Sequence, residues 1–317
     1  MVVETFEASY IGDWVFGSLP EKGPLSFHSV FSSTLNLSSA GTIFTLQKPS
    51  VFLTPLSIAV KVPENFNFRD FCTPGFNYRI EINTIYFCPR VSVKIDSATL
   101  WKPLDLTGLD FRQTEPVKTL QVLHRKISAK KINTGFAPVL NKVFYLPWMG
   151  SGGQKDDFFS MKLNFLLESA YKEWTKGNAA QSAKNLSSLV GLGPGLTPSG
   201  DDFLIGFTAF LYGIKKENRY LENFLKVLIG EIKQRIYSTS DISSNFLMLS
   251  LEGKVSEPVG CLLLALAEQN FDKLSEYSDR LLSCGHSSGV DTLCGIISGI
   301  RFVQINDPSF FATKEAL

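Results

Sequence analysis

Gly191-Leu-Gly-Pro-Gly-Leu-Thr-Pro-Ser-Gly-Asp-Asp-Phe-Leu-Ile-Gly-Phe-Thr-Ala-Phe-Leu-Tyr212 runs from a glycine- and proline-rich loop directly into a segment that is apolar on nearly every side. A helix apolar all round is buried at the centre of a domain. The flanking sequence carries the same period. Leu221, Phe224, Leu225, Leu228, Ile229, Ile232 and Ile236 fall at three- and four-residue steps and form one apolar stripe. Segments 157–175, 178–190, 200–214, 257–268 and 270–283 also read as helices, and Ser238-Thr-Ser-Asp241 reads as the N-cap of another over 242–251. Residues 151–317 are therefore expected to form a mainly helical domain that carries the glycine-rich loop.

Upstream the pattern changes. Thr42-Ile-Phe-Thr-Leu46, Ser57-Ile-Ala-Val-Lys-Val62, Ile82-Asn-Thr-Ile-Tyr-Phe87 and Val91-Ser-Val-Lys-Ile95 are short runs rich in β-branched and aromatic residues, broken by Gly, Pro, Ser and Asn. The last alternates apolar and polar residues, as a half-buried strand does. His28 is read as a strand-edge residue. The fold class expected is α+β, with an N-terminal β-rich domain, a small barrel or sandwich, taken as 1–150, and Gly150-Ser-Gly-Gly153 as the hinge to the helical half.

Composition narrows the function. The chain has 317 residues, 44% hydrophobic and 19% charged, with a formal net charge of +1. No block of like charge stands out, which argues against nucleic acid or an anionic membrane as the main partner. No run of 18 apolar residues offers a membrane span. Cys72, Cys88, Cys261, Cys284 and Cys294 make no C-x-x-C pair and sit mostly among apolar neighbours. With an acid in Met-Val-Val-Glu-Thr-Phe-Glu where a signal peptide has bases, they point to the cytoplasm and to no zinc site.

The loop itself admits two readings. Ser199 with Asp202 is a capping box, and capping alone would account for one serine and one acid. It does not account for glycines at 191, 193 and 195 with Pro194 and Pro198 between and after them. Such a loop lets a ligand approach the backbone, whose N–H groups and following helix start attract an anion. Gly193, Gly195, Thr197, Ser199 and Gly200 are thus expected to bind ligand. The adjacent acids Asp201 and Asp202 repel a bare phosphate. Either Mg²⁺ bridges them to the ligand, or they accept hydrogen bonds from an amide –NH₂. No Gly-Lys-Ser/Thr follows, so this is not a P-loop, and no cofactor is certain.

An echo supports a composite site. Ser199-Gly-Asp-Asp202-Phe-Leu204-Ile-Gly206 matches Ser288-Gly-Val-Asp291-Thr-Leu293-Cys-Gly295 at Ser, Gly, Asp, Leu and Gly, and each copy opens an apolar helix. Two such starts facing across one pocket would add Ser288, Gly289 and Asp291 to the binding residues. His286, two residues before the second start, is the candidate acid or base. Asp201, Asp202 and His286 are the catalytic candidates.

The run Gly191–Asp202 resembles the hallmark of the AllH family, matched without a gap. His28-Ser-Val-Phe31 with Leu35-Asn-Leu37, Ser240-Asp-Ile-Ser243 and Glu252-Gly-Lys-Val-Ser-Glu-Pro258 are similar to that family too. The resemblance implies a subunit of oxamate carbamoyltransferase working with FdrA-like and AllG-like subunits in anaerobic allantoin and purine degradation. The reaction it implies converts oxalurate and phosphate to oxamate and carbamoyl phosphate. Those ligands combine an anionic end with an amide end, as the loop's mixed chemistry asks. The competing readings are a non-catalytic sensing or scaffolding subunit and a metal-dependent hydrolase using Asp201, Asp202 and Asp291. Self-association into a homo-oligomer fits the same sequence.

Overall fold

The computed structural model describes residues 4–72, 75–130, 135–139 and 158–311. Two compact units divide the chain, Met1–Pro103 and Leu104–Leu317.

The first unit is a nearly closed, barrel-like sheet of ten strands, β1 (Glu4–Gly12), β2 (Lys22–Pro24), β3 (Ser26–Val30), β4 (Thr34–Ser39), β5 (Thr42–Gln47), β6 (Ser57–Val60), β7 (Arg79–Glu81), β8 (Thr84–Tyr86), β9 (Val91–Lys94) and β10 (Thr99–Trp101). Nine of them run in the order β2-β7-β8-β9-β1-β6-β5-β4-β3, and β10 pairs with β1. The two ends of that order, β2 and β3, are joined in sequence by Leu25 alone, which brings the edges of the sheet round towards each other. Leu35, Leu37, Phe44, Leu46, Ile58, Val60, Phe68, Ile80, Ile85, Phe87 and Val93 are buried in it. His28 lies on β3, the last strand of the order, in keeping with the edge placement read from sequence.

One expected strand starts later than its sequence suggests. Ile82 and Asn83 both adopt positive φ, 41° and 59°, and form the two-residue turn between β7 and β8, where Glu81 pairs Thr84. That is the backbone a tight hairpin turn demands, and Ile82 accepts it while standing 85% exposed.

The second unit is helical. Its helices follow the short α1 (Asp13–Ser18) of the first unit as α2 (Pro116–Ala129), α3 (Phe158–Thr175), α4 (Ala179–Ser187), α5 (Ser199–Ile214), α6 (Arg219–Arg235), α7 (Asp241–Leu251), α8 (Glu257–Ala267), α9 (Phe271–Leu282) and α10 (Ser288–Asn306). The sequence reading carried the β-rich half on to 150. Leu104 to Lys130 pack with the helices because Leu120, Leu123 and Ile127 of α2 put one apolar face into the helical core. The Gly150–Gly153 stretch read as a hinge lies outside the described residues. Among the described residues no helix is long and apolar enough to cross a membrane.

At the centre of this unit α5 crosses α10. Both are buried on nearly every side, as their composition requires. The apolar stripe of α6 turns Leu221, Phe224, Leu225, Leu228 and Ile232 inward. On the far side, Trp174 stacks on Phe302 with ring centroids 4.1 Å apart, and its Nε1–H donates to the Phe302 carbonyl at 2.9 Å. Tyr171 donates to the Ser298 carbonyl at 2.7 Å, so the polar tips of both aromatic anchors are satisfied. These contacts fix the depth and roll of α10, and with them the place of its N-terminal Ser288.

Candidate functional site

The loop after α4 is built on close approach. Gly191 has φ +72°, and a Cβ there would overlap the Ser238 carbonyl, so only glycine meets both demands. Gly200 is packed so tightly that a Cβ would overlap the Leu189 carbonyl, and its N–H donates to the Leu192 carbonyl at 2.8 Å. Gly193 and Gly195 also have positive φ, and Gly195 stands in open space at the exposed tip formed with Pro194 and Leu196.

The first surprise is the capping. Pro198, not Ser199, is the N-cap of α5, and Ser287 precedes α10; neither helix has a side-chain cap. The hydroxyls of the two starts act crosswise. Ser199 of α5 faces Asp291 of α10, and Ser288 of α10 faces Asp202 of α5. Thr197 joins the two starts, its Oγ1 lying 2.9 Å from Ser288 Oγ. Thus the box-like spacing Ser-x-x-Asp is used twice, each half completing the other.

The crossing explains how. A Cβ at Gly206 would overlap the Thr292 carbonyl oxygen and sit 3.1 Å from Ile296 N. A Cβ at Gly295 would overlap the Phe203 carbonyl oxygen and sit 2.8 Å from Phe207 N. Thr292 and Ile296 are the echo counterparts of Phe203 and Phe207, so the contacts are reciprocal and the repeats meet about a local two-fold axis. Gly289 matches Gly200 in role, since a Cβ there would overlap the Leu281 carbonyl.

Asp201 and Asp202 are neighbours in sequence but not in function. Successive helical residues point about 100° apart. Asp201 turns to the Ser238–Ser243 region: its Oδ1 accepts Gly191 N–H at 2.8 Å, and its Oδ2 accepts the hydroxyls of Thr239 and, at 2.7 Å, Ser243. Ser240 donates to the Leu196 carbonyl, pinning the loop's far end to the same turn. Asp201 is fully buried, and burial raises its carboxyl above the ordinary range despite three donors. Asp201→Asn, which replaces one acceptor with a donor, is expected to lower stability by about 2 kcal/mol. Urea unfolding measures this, and an unchanged midpoint would show that the latch contributes nothing.

Asp202 and Asp291 form the chemically unusual pair. Both are buried, and each leaves its Oδ2 without a hydrogen-bond partner among the described residues. Burial pushes Asp202 well above the carboxylate range, and the charges of Asp291 and Asp201 push it further, against the pull of the Ser288 and Thr197 hydroxyls. Asp291 is raised to about 7 by burial, opposed by Phe136 N–H and by Ser199 and Ser287. Phe136 N donates to Asp291 Oδ1 at 2.7 Å, and Gly135, with φ +66°, leaves no room for a Cβ beside that carboxyl. Phe136 then stacks on Phe203 at 4.2 Å, locking the segment in place.

Gly135 and Phe136 were not legible as site residues, and neither were the Thr239 and Ser243 hydroxyls on Asp201. The turn read from sequence as an N-cap does cap α7, Ser240 Oγ accepting Ser243 N–H at 3.1 Å, and it also meets the loop. His286 stands exposed in the turn before α10. Mg²⁺ held by Asp201 and Asp202 would require Asp201 to give up its donors; among the described residues no three His, Cys, Asp or Glu side chains gather to hold a metal.

No curated protein and no solved structure matches the chain. One family model does. The matched stretch contains the loop, the Ser238–Ser243 turn, the Glu252–Pro258 segment and both helix starts, while the His28–Leu37 likeness lies outside it. Residues 189–300 match the family described as oxamate carbamoyltransferase subunit AllH.

Proposed function

We propose that the chain is a subunit of an oxamate carbamoyltransferase-type enzyme that turns oxalurate and phosphate into oxamate and carbamoyl phosphate. The observation that carries the reading is the meeting of the two echoed helix starts, with Asp202 in the field of Asp291 and facing the loop hydroxyl of Thr197. The family match supplies the reaction class. The ligand's anionic end is assigned to the loop N–H groups from Gly193 to Thr197, and its amide end to the buried carboxyls.

In this reaction a phosphate oxygen bonds to the carbamoyl carbon, the bond from that carbon to the oxamate nitrogen breaks, and the nitrogen takes a proton. We assign that proton to Asp202, whose carboxyl burial raises well above the ordinary range. Positive charge for the phosphate must come from elsewhere. Arg235, at the end of α6, is engaged with Ser187 Oγ at 3.1 Å, and the influences on Asp202 include no cation. A site shared with FdrA-like and AllG-like subunits meets that need.

In the reconstituted complex, Asp202→Asn keeps the side chain's shape but removes its acidic proton. It is expected to lower carbamoyl transfer about a hundredfold with the fold intact by circular dichroism. Unchanged turnover would sink the assignment. The saturation of Asp201 favours a second reading, a scaffolding subunit, in which turnover survives Asp202→Asn and only complex assembly weakens when the loop is altered.

A further inference from the structure

We propose that Asp202 and Asp291 together form a receptor for a primary amide or carbamoyl group, one carboxyl acting as hydrogen-bond donor and the other as acceptor, and that the pair rejects a carboxylate in the same place. The inference rests on the ligand reading above and assigns its amide end to two named atoms.

The pair is a product of the repeat. Asp202 and Asp291 are counterparts in the echo, and the reciprocal glycine contacts at Gly206 and Gly295 bring their helices together about the local two-fold axis. Each therefore presents the same atom, Oδ2, buried and unpartnered among the described residues. A buried polar atom without a partner is costly, and two at equivalent positions of one crossing call for one explanation. A single guest that bonds to both supplies it.

What makes the two ends chemically different is Gly135–Phe136, which breaks the symmetry. Phe136 N–H donates to Asp291 Oδ1, and an N–H donor stabilises the charged form of a carboxyl. Asp202 is faced by hydroxyls, of Ser288 and Thr197, which rotate to serve either form. It also lies in the field of two other carboxyls, Asp201 and Asp291. The remaining titratable groups nearby are thiols: Cys284, whose own surroundings include Asp202, and the buried Cys294 beside Asp291. The proton therefore stays on Asp202 and the charge goes to Asp291.

A primary amide matches that arrangement. Its N–H donates to the Asp291 carboxylate and its C=O accepts from the Asp202 O–H. A carboxylate offers no N–H to Asp291 and sets a second negative charge against it. Sites built to hydrogen-bond a polar group discriminate strongly against an analogue that lacks it, because their own buried atoms are then left unpaired. Thr197 and Ser288, whose hydroxyls face Asp202, are half-buried, and the loop tip Pro194–Leu196 is exposed.

Oxamate and oxalate differ at this one group, –NH₂ against –O⁻, and make the test. Equilibrium titration of the full chain, assembled with the partner subunits of the proposed complex, is expected to show oxamate bound at least tenfold more tightly than oxalate at pH 7. Asp291→Asn removes the charge that repels oxalate and should bring the two affinities within about twofold. Asp202→Asn retains a donor at that position and should keep the preference while losing turnover. Equal affinities in the wild-type complex overturn the proposal without any variant having to fold, as does a preference that survives Asp291→Asn. A Mn²⁺ titration with binding lost in both variants also overturns it, since the pair would then be a cation site. Failure of these arms with turnover still sensitive to Asp202→Asn leaves the transferase reading standing. Binding of neither ligand, with turnover insensitive to Asp202→Asn, removes both.

Discussion

Gly295→Ala is expected to destabilise the helical unit by about 3 kcal/mol or more. The added Cβ has no flexible side chain to displace. It meets the Phe203 carbonyl oxygen and the Phe207 amide of α5, both backbone atoms of a buried helix. Relief requires α5 and α10 to move apart, which loosens the stacking of Phe136 on Phe203 and of Trp174 on Phe302 as well. Dense interiors transmit such a shift rather than absorb it. Gly206→Ala should have a similar effect, because its contacts on Thr292 and Ile296 are the mirror of the same crossing. The double variant should cost less than the sum, since once the helices have separated for one methyl group the other has room. Gly230→Ala is the control. It lies in α6 with nothing within 4 Å of the added carbon, so the better helix propensity of alanine should stabilise by up to about 1 kcal/mol. Urea unfolding of the four variants decides the matter. A Gly295→Ala midpoint equal to that of wild type would mean that α5 and α10 do not pack through these glycines in solution.

The glycines also show what a linear reading could and could not extract. The echo Ser-Gly-x-Asp with a later Gly was visible, and so was the idea that two helix starts face one another. Its meaning was not. Read locally, Ser199 and Asp202 satisfy each other as a cap; in the fold each reaches the opposite repeat, and no side-chain cap is present on either helix. Asp201 and Asp202 looked like one acidic pair because adjacency is what sequence displays. The helix separates them, sending Asp201 to Thr239 and Ser243 and leaving Asp202 with Asp291. The role of Phe136 has no trace in the sequence. It reaches Asp291 with a backbone N–H, across 155 positions, and a backbone donor carries no residue signature. Helix α2 begins with Pro116 at its first turn and turns Leu120, Leu123 and Ile127 inward, a signal weaker in sequence than the β pattern that precedes it. The strong β pattern before it drew the boundary too far along the chain. At Ile82 the local preference of a β-branched residue was simply overridden, because the β7–β8 pairing demands a two-residue turn there.

Stability should fall as pH rises from about 4 to about 7. Asp291 ionises near its ordinary value of 3.8 when the chain is unfolded, but only near about 7 when folded. Between those values the folded state holds a proton that the unfolded state has released, so raising the pH favours unfolding. The stabilisation is fully present below the lower value and is lost by the upper one. Each pH unit of that window is worth about 1.4 kcal/mol for one group, which puts the total on the order of 4 kcal/mol for Asp291. Asp201 and Asp202 are raised as well, chiefly by burial, and contribute in the same direction. The lowered carboxyls Asp105, Glu173 and Glu222 have the opposite sign, but their ordinary values are 3.8 and 4.5, so their effect is confined to the acid end of this range. Asp291→Asn keeps an acceptor for Phe136 N–H and cannot ionise. Its stability should therefore decline more gently than that of wild type over the same range, by about one proton in the slope. Urea unfolding at half-unit steps from pH 4.5 to 8 gives both curves, and parallel curves would show that Asp291 titrates normally in the folded chain. A buried carboxyl that weakens the fold at neutral pH is maintained at the expense of stability. Such placement is typical of groups kept for binding or chemistry, and here it falls on the two residues that the repeat sets opposite one another.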